Sequence, residues 1–169
     1  LKAEGGVISG EQFVDECQVE SDLELLLPAT YVTGSSERML LYRELDSLTL
    51  DKDVEDFRTR LIDRFGPIPS ETEELLRIVP LRRLAARLGA EKVFLKGGRM
   101  SLFFVSNPDS PYYQSQAFGK VIAYMMKYTR RCDLGEQNTR RSMLVKDVKN
   151  VETAVSVLQE IVAMQVEEG

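Results

Sequence analysis

The chain has 169 residues, of which 43% are hydrophobic, and this size suits one packed domain, or one domain with an extra arm. The net charge is −5, and the sequence has no histidine, so Ser-His-Asp and Cys-His catalysis are excluded. No apolar run approaches the ~20 residues of a membrane span, and residues 1–10 lack the apolar core of a secretory signal. We therefore expect a cytoplasmic protein and, because it starts at Leu1, a piece of a longer polypeptide.

The sequence carries no motif of a catalytic or cofactor site. GxxxxGK[ST], GxGxxG and GxSxG patterns are all absent. Cys17 and Cys132 lie far apart without a CxxC pattern, which indicates two buried, reduced thiols rather than a metal site. Paired carboxylates such as Asp51 and Asp53 lie where they complement a helix dipole. We predict no catalytic residue, no metal ligand and no cofactor.

The first half of the chain is predicted to form one strand followed by three or four helices. Alternating apolar and polar residues predict a strand within residues 16–27. Ser35 or Ser36 is positioned to cap a helix that runs to about Leu48. The side chains predicted to face inward from this helix are Met39, Leu40, Tyr42, Leu45 and Leu48.

The next helix begins at Asp51 or Asp53 and is predicted to end at Gly66, which is followed by Pro67. Its apolar stripe consists of Val54, Phe57, Leu61 and Phe65.

A third helix is predicted from Ser70, where Glu73 completes a capping box, to Gly89. Pro80 inside this helix is expected to kink it or to split it in two.

The second half alternates hairpins with helices. Gly97-Gly98 predicts a tight hairpin, and Ser110 followed by proline predicts a helix start. A second hairpin is predicted to join residues 131–134 and 140–145, and the last helix to begin at Asn150. Strands joined mostly by hairpins indicate an α+β fold, with a mixed or mostly antiparallel sheet packed against about five to six helices.

Charge is unevenly distributed along the chain. Residues 1–57 carry a net charge of −10, whereas residues 120–149 carry a net charge of +5. This asymmetry suits nucleic-acid binding by the basic segment, but also a solvated face or two halves that attract each other. The dipeptides Arg130-Arg131 and Arg140-Arg141 are expected on paired strands, where neighbouring side chains point to opposite faces. That placement argues against a continuous basic stripe.

The second predicted helix has a polar side opposite its apolar stripe. Asp56, Arg60 and Asp63 are spaced as i, i+4 and i, i+3 partners. The spacing alone fits a solvated face with internal ion pairs as well as a docking surface.

The string LIDRFGPIP at residues 61–69 resembles the most recognisable segment of the carboxy-terminal (TRCF) domain of bacterial transcription-repair coupling factors. LLPATYV at residues 26–32 and ERMLLYR at residues 37–43 match the same family in order. The resemblance covers roughly residues 16–166. It implies that residues 1–15 are a linker or the end of a preceding translocase module, and that residues 16–169 form the regulatory domain.

In this family the parent protein binds stalled RNA polymerase, moves on duplex DNA with ATP and magnesium in its motor module, and recruits UvrA. The resemblance implies that the present domain is not catalytic. It implies instead that the domain docks on the amino-terminal UvrB-like module, covers the surface that UvrA binds and restrains the motor.

The docking face implied by the resemblance is the polar side of the helix that ends in LIDRFG. Asp63 and Arg64 match the family pattern there, and Asp56 lies on the same side. Arg60 stands where the family commonly has an acidic residue, which reverses one charge. The alternative function is a nucleic-acid-binding accessory module that uses residues 120–149.

Overall fold

The computed structural model of the chain describes residues 12–137 and 140–166. Within these residues the chain forms one five-stranded sheet, five α-helices and one short 3-10 helix at Pro111–Gln114. The strands are β1 (Gln18–Ser21), β2 (Ala90–Lys96), β3 (Arg99–Phe104), β4 (Cys132–Gln137) and β5 (Arg140–Val145). The α-helices are α1 (Ser35–Ser47), α2 (Asp51–Phe65), α3 (Ser70–Arg87), α4 (Gln116–Lys127) and α5 (Val151–Val162). The predicted α+β fold and its order of elements are confirmed.

The sheet has the strand order β1-β2-β3-β5-β4. Strand β1 runs parallel to β2, and every other pair is antiparallel, so the sheet is mixed. The predicted tight hairpin joins β2 and β3, where Gly97 and Gly98 have φ values of 62° and 73° that a two-residue turn requires. The second predicted hairpin joins β4 and β5, with β4 extending to Gln137; residues 138–139 of its turn lie outside the described residues.

The first strand is much shorter than predicted. β1 ends at Ser21 rather than near residue 27, because its partner β2 reaches its own turn just after Leu95, the residue paired with Ser21. The chain then bends away: the Ser21 hydroxyl accepts a hydrogen bond from the backbone N–H of Leu23 at 3.0 Å. The alternating residues that follow therefore pack in an irregular segment and not in a strand.

Helix α1 faces the core with only part of the side that was predicted. Met39 and Leu40 are 57% and 63% exposed, so their predicted inward orientation is wrong. The prediction is confirmed for Leu45, which is buried, and for Tyr42 and Leu48, which pack against the same cluster; Leu41 is buried in addition. The Tyr42 hydroxyl accepts a 2.7 Å hydrogen bond from the backbone N–H of Leu27, and this contact fixes the rotation of the helix. The predicted serine cap is also absent, since Gly34 occupies the N-cap position without a side-chain hydrogen bond.

Helix α3 joins two hydrophobic clusters and runs through Pro80 as one helix. Leu76 and Val79 pack with α1 and α2. Residues from Leu81 onward pack instead with the sheet, α4 and α5. The change of cluster therefore falls at the proline. The predicted split of the helix is wrong.

The capping box predicted for α3 is wrong as well. Pro69 is the N-cap residue and makes no side-chain cap hydrogen bond. The Glu73 carboxylate is instead paired with the Arg58 guanidinium of α2. The start of α5 at Asn150 is confirmed, since Asn150 accepts from the Thr153 N–H at 2.7 Å. Ser110 caps a helix as predicted, by accepting from the Tyr112 N–H, but this is the short 3-10 helix, and α4 begins separately with Ser115 at its N-cap.

Of the predicted linker, residues 1–11 lie outside the described residues. Phe13 makes an edge-on ring contact with Tyr112 at 5.5 Å between centroids, and Val14 is buried in the cluster beneath the sheet.

Candidate functional site

Helix α2 exposes the four residues that the sequence singled out. Its Phe57 and Leu61 side chains are 1% exposed and hold one side of the helix against α1 and α3. The four polar residues that lie on the solvent side are Asp56, Arg60, Asp63 and Arg64. Their exposure agrees with a polar face that has no part in the core; their role in docking stays a prediction.

The two arginines of this face pair across to helix α1 rather than along α2. The Arg60 guanidinium pairs with the Glu44 carboxylate, with Nη1 and Oε1 3.2 Å apart, and Arg64 pairs with Glu37. Hydrogen bonding to Glu44 raises the pKa of Arg60 above its ordinary value. Both arginine side chains are about half exposed, at 54% and 55%, so each pair is worth about 0.2–1 kcal/mol.

Unlike the two arginines, the two aspartates of the face are not paired with another described residue. Within the described part of the chain, neither the Asp56 nor the Asp63 side chain takes part in an ion pair or a hydrogen bond, although the charge of Asp56 contributes to the raised pKa of Arg60. The two aspartates are two helical turns apart, which is about 10 Å along the helix axis. Helix α2 therefore presents two carboxylates whose charge is not neutralised by a direct contact.

An exposed leucine lies beside these charges. Leu40 follows Glu37 by three residues and precedes Glu44 by four, so it shares a side of α1 with the two glutamates that reach α2. We call the combined surface the α1–α2 face; its members are Glu37, Leu40, Glu44, Asp56, Arg60, Asp63 and Arg64.

Three members of the face, Glu37, Leu40 and Glu44, were missed by the sequence reasoning. The run Met39-Leu40-Leu41 carried a signal, because three consecutive apolar residues cannot all face inward from one helix.

The basic segment 120–149 is largely engaged within the domain. Arg130-Arg131 lies in the turn before β4 and not on a strand, so that prediction is wrong. The Arg131 guanidinium donates hydrogen bonds to the carbonyl oxygens of Lys146 and Asp147, and these bonds tie the turn to the segment that follows β5. The other contacts are Lys120 with the Val162 carbonyl, Lys127 with Glu160, Arg140 with Glu91, Arg141 with Glu136, and Lys146 with Asp133.

Three aromatic residues near this segment pack in or against the core. Tyr112 and Tyr124 are fully buried, and Phe118 packs against Tyr112 at 5.4 Å between ring centroids. These rings are not available to stack on nucleic-acid bases.

A groove of about 710 Å³ lies along β1 and α3. Its two arginines already face carboxylates: Arg83 pairs with Asp51 at 2.9 Å, and Arg82 lies 3.9 Å from Asp46. Cys17 lines the groove, and burial raises its pKa to about 12, so at neutral pH the thiol is protonated and a poor nucleophile.

Cys132 is also buried and its pKa is also raised, which confirms the prediction of two buried free thiols. Among the described residues, no three His, Cys, Asp or Glu side chains are grouped to hold a metal ion. No helix in this part of the chain is both long and apolar enough to cross a membrane.

Comparison with known proteins gives the same family by sequence and the same fold by structure. A family profile described as TRCF domain matches residues 21–115. The transcription-repair-coupling factor of Rickettsia bellii (strain RML369-C) is 30% identical over 132 residues, which are 78% of this chain and 11% of the relative. The factor of Escherichia coli (strain K12) is 32% identical over 78 residues, 46% of this chain and 7% of its own length. The chain therefore spans about a tenth of such relatives.

A crystal structure of the C-terminal domain of a transcription-repair coupling factor is similar in fold, with a TM-score of 0.66. The match covers 87% of this chain and 93% of that one, at 17% sequence identity. At this identity the similarity shows the fold alone.

Proposed function

The chain belongs to the TRCF domain family, and we propose that it is a non-catalytic regulatory docking domain of a transcription-repair coupling factor. In this proposal the parent protein is an ATP-dependent DNA translocase that acts in the cytoplasm, binds stalled RNA polymerase and recruits UvrA. The domain docks on the amino-terminal UvrB-like module of the same polypeptide. Docking masks the surface that UvrA binds and restrains the motor until polymerase is engaged.

The observation that carries the proposal is the state of the charges on the α1–α2 face. Asp56 and Asp63 are exposed and have no direct partner in the described part of the chain, whereas Arg60 and Arg64 are neutralised by Glu44 and Glu37. The face therefore offers two free carboxylates beside the exposed Leu40. Its best complement is a surface with two basic side chains and an apolar recess.

The charge reversal at Arg60 fits this arrangement. Because Arg60 pairs with Glu44, it does not present a free cation to a partner. The proposed contact therefore relies on Asp56 and Asp63. The basic side chains of the partner are not repelled by Arg60, because Glu44 neutralises its positive charge.

The expected strength suits a switch. Exposed ion pairs contribute about 0.2–1 kcal/mol each, and truncating a desolvated partner costs about 2–5 kcal/mol. A contact of this size can be broken when polymerase binding favours the undocked state by a few kcal/mol. The domain thus needs no chemistry of its own to regulate the parent.

Competition between the domain and UvrA tests the proposal. The purified UvrB-like module is immobilised, and UvrA binding is measured with increasing amounts of this chain. We expect the chain to bind the module and to displace UvrA. The double variant Asp56→Ala, Asp63→Ala, which removes the two carboxylates on which the contact relies, should need a higher concentration for the same displacement. Unchanged UvrA binding at saturating amounts of the chain would contradict the masking role.

The proposal that the domain is not catalytic has a separate test. We expect purified wild-type chain to show no ATP hydrolysis above buffer, and turnover that copurifies with the folded chain would contradict it.

The division into residues 1–15 and 16–169 also stays a prediction. The alternative of nucleic-acid binding through residues 120–149 is not favoured, because most of the cations there contact groups of the domain itself.

A further inference from the structure

The turn between β2 and β3 carries three cations that the proposed docking does not use. Lys96 and Arg99 flank Gly97 and Gly98 and are paired directly across the hairpin. Lys149 comes from the loop before α5, and its Cγ lies 3.8 Å from the position that a Cβ on Gly98 would take. The three cations, which we call the cationic turn, are all exposed.

The loop that carries Lys149 is fixed to the hairpin by the backbone. The N–H of Val148 donates a 2.8 Å hydrogen bond to the carbonyl oxygen of Gly98. Val148 itself is 2% exposed and anchors the loop in the core. The fold therefore holds together cations that are about fifty positions apart in the chain, and two of them, Lys96 and Arg99, lie outside the basic segment 120–149.

None of the three cations has a carboxylate partner in the part of the chain that the structure describes. Cations nearby do have one: Lys92 lies 3.6 Å from Glu20, and Lys146 lies 3.6 Å from Asp133. The Asp22 carboxylate reaches the turn but accepts the backbone N–H of Gly97 at 3.0 Å.

The composition of the chain makes it unexpected that these three cations lack carboxylate partners among the described residues. The chain has 27 acidic and 22 basic side chains, so carboxylates are in excess. Three like charges gathered at one turn repel each other, and the repulsion is relieved when an external anion binds between them. The turn therefore has the character of an anion-binding surface.

We propose that the cationic turn binds the phosphate backbone of duplex DNA. A duplex offers one negative charge per ~1.7 Å of its axis, the densest fixed row of anions that such a turn can meet. Contacts of lysine and arginine with phosphates position a protein on DNA without reading its sequence. The surface gives the domain an affinity for DNA of any sequence.

The neighbouring ring favours the duplex over a single strand. Phe94 lies next to the turn on β2, but ammonium groups already cover it: the Nζ atoms of Lys92 and Lys96 lie 4.8 and 5.1 Å from the ring centroid. Single-strand binding draws much of its strength from bases stacked on free rings. A covered ring leaves charge as the main source of affinity.

The domain's overall charge limits the strength of this contact. The net charge of −5 repels DNA at low ionic strength, but at 0.1 M salt the distant carboxylates are screened beyond about 10 Å. Three phosphate contacts predict that log K falls with log salt with a slope of about −2.7. Binding is therefore weak and strongly dependent on salt.

The experiment measures binding of the full chain to a short labelled duplex by fluorescence anisotropy, at about 50 mM and 200 mM salt. We expect the triple variant Lys96→Gln, Arg99→Gln, Lys149→Gln to lose about tenfold in affinity at the lower salt concentration and most of the salt slope. Lys149→Gln alone removes one cation outside the sheet and serves as the variant least able to disturb folding. It should weaken binding by a smaller factor.

Arg87→Gln is the matched control. Arg87 is exposed, has no ion pair among the described residues, and lies at the opposite end of β2 from the turn. Its loss should leave affinity unchanged. The proposal is overturned if wild type does not bind the duplex at the lower salt concentration, or if the turn variants and the control lose affinity equally. It is also overturned if a single strand or polyglutamate binds as tightly as the duplex.

No member of the α1–α2 face takes part in this test, and no UvrB-like module is present. A failure of the DNA-binding proposal therefore leaves the docking proposal standing, and a failure of docking leaves DNA binding standing.

Discussion

The Glu74 carboxylate on α3 accepts a hydrogen bond of 2.6 Å from the backbone N–H of Val151, the first residue of α5. Its second oxygen accepts the N–H of Glu152 at 3.0 Å, and Arg77 pairs with the same carboxylate at 3.0 Å. A carboxylate in this position satisfies donors that the helix cannot satisfy itself and complements the positive end of its dipole. One side chain therefore ties α3 to the start of the last helix.

Removing this side chain should destabilise the domain. Glu74→Ala leaves two N–H groups at the start of α5 without their acceptor, and we expect a loss of about 1–3 kcal/mol in the free energy of unfolding. Urea denaturation measures the loss. Glu71→Ala is the control: it removes a carboxylate from the first turn of α3, the helix that carries Glu74, and should lower the free energy of unfolding less than Glu74→Ala does. Equal losses for the two variants would show that the contact with α5 contributes nothing.

A methyl group at Gly89 should be tolerated poorly. Gly89 has φ of 86°, and a Cβ there would overlap the ring of Tyr112, whose hydroxyl donates to the Leu88 carbonyl oxygen. Gly97→Ala is the matched control, because φ is 62° but nothing lies within 4 Å of the added Cβ. We expect about 1–2 kcal/mol of destabilisation for the control and clearly more for Gly89→Ala. Equal unfolding midpoints would contradict the overlap.

Stability should fall at alkaline pH partly through Cys17. Burial raises the pKa of this thiol from 9.0 to about 12, with Arg82 opposing in the other direction. The unfolded chain releases the proton near pH 9 and the folded chain near pH 12, so this contribution to stability is complete below pH 9 and lost between the two values. Across that window, the unfolding free energy of wild type should fall with pH more steeply than that of Cys17→Ala. The difference between the two slopes should correspond to about one proton released on unfolding. Parallel curves would contradict the raised pKa.

The ion pair between α1 and α2 should be weak. A double-mutant cycle of Arg60→Ala and Glu44→Ala, measured by denaturation, should give a coupling of about 0.2–1 kcal/mol, because the Arg60 side chain is 54% exposed. A coupling this small leaves both side chains free to rearrange when a partner docks. A coupling several times larger would show that the face is fixed within the domain.

Several features set by neighbouring residues were predictable from the sequence, although the predicted serine cap of α1 is absent. Gly97-Gly98 favours a two-residue turn, because glycine adopts the positive φ that such a turn requires at both positions, and the structure has that turn. Ser110 and Asn150 cap their helices through bonds to residues two and three positions away. Local chemistry is sufficient in such cases, because the partners are fixed by the helix or turn itself.

Features set by distant partners were not predictable. The length of β1 depends on where β2 ends, more than seventy residues later in the chain. The Glu73 carboxylate pairs with Arg58 of α2 and does not cap its own helix. Likewise, an ion pair of Arg60 within α2 was one of two interpretations that the spacing left open, whereas its partner Glu44 lies on another helix. The run Met39-Leu40-Leu41 indicated that not all three residues face inward, but which of them are exposed depends on the rotation of α1, which is fixed by the contact of Tyr42 with Leu27.

The most direct measurement of the central claim is the affinity of this chain for the purified amino-terminal UvrB-like module, by calorimetry. The test variant is Asp56→Ala, Asp63→Ala. The control, Glu16→Ala, Glu24→Ala, makes the same change of charge at exposed carboxylates without ion pairs in the described part of the chain. We predict that the test variant binds about tenfold more weakly than wild type and that the control binds as wild type does. Equal affinities for all three proteins would show that the α1–α2 face is not the docking surface.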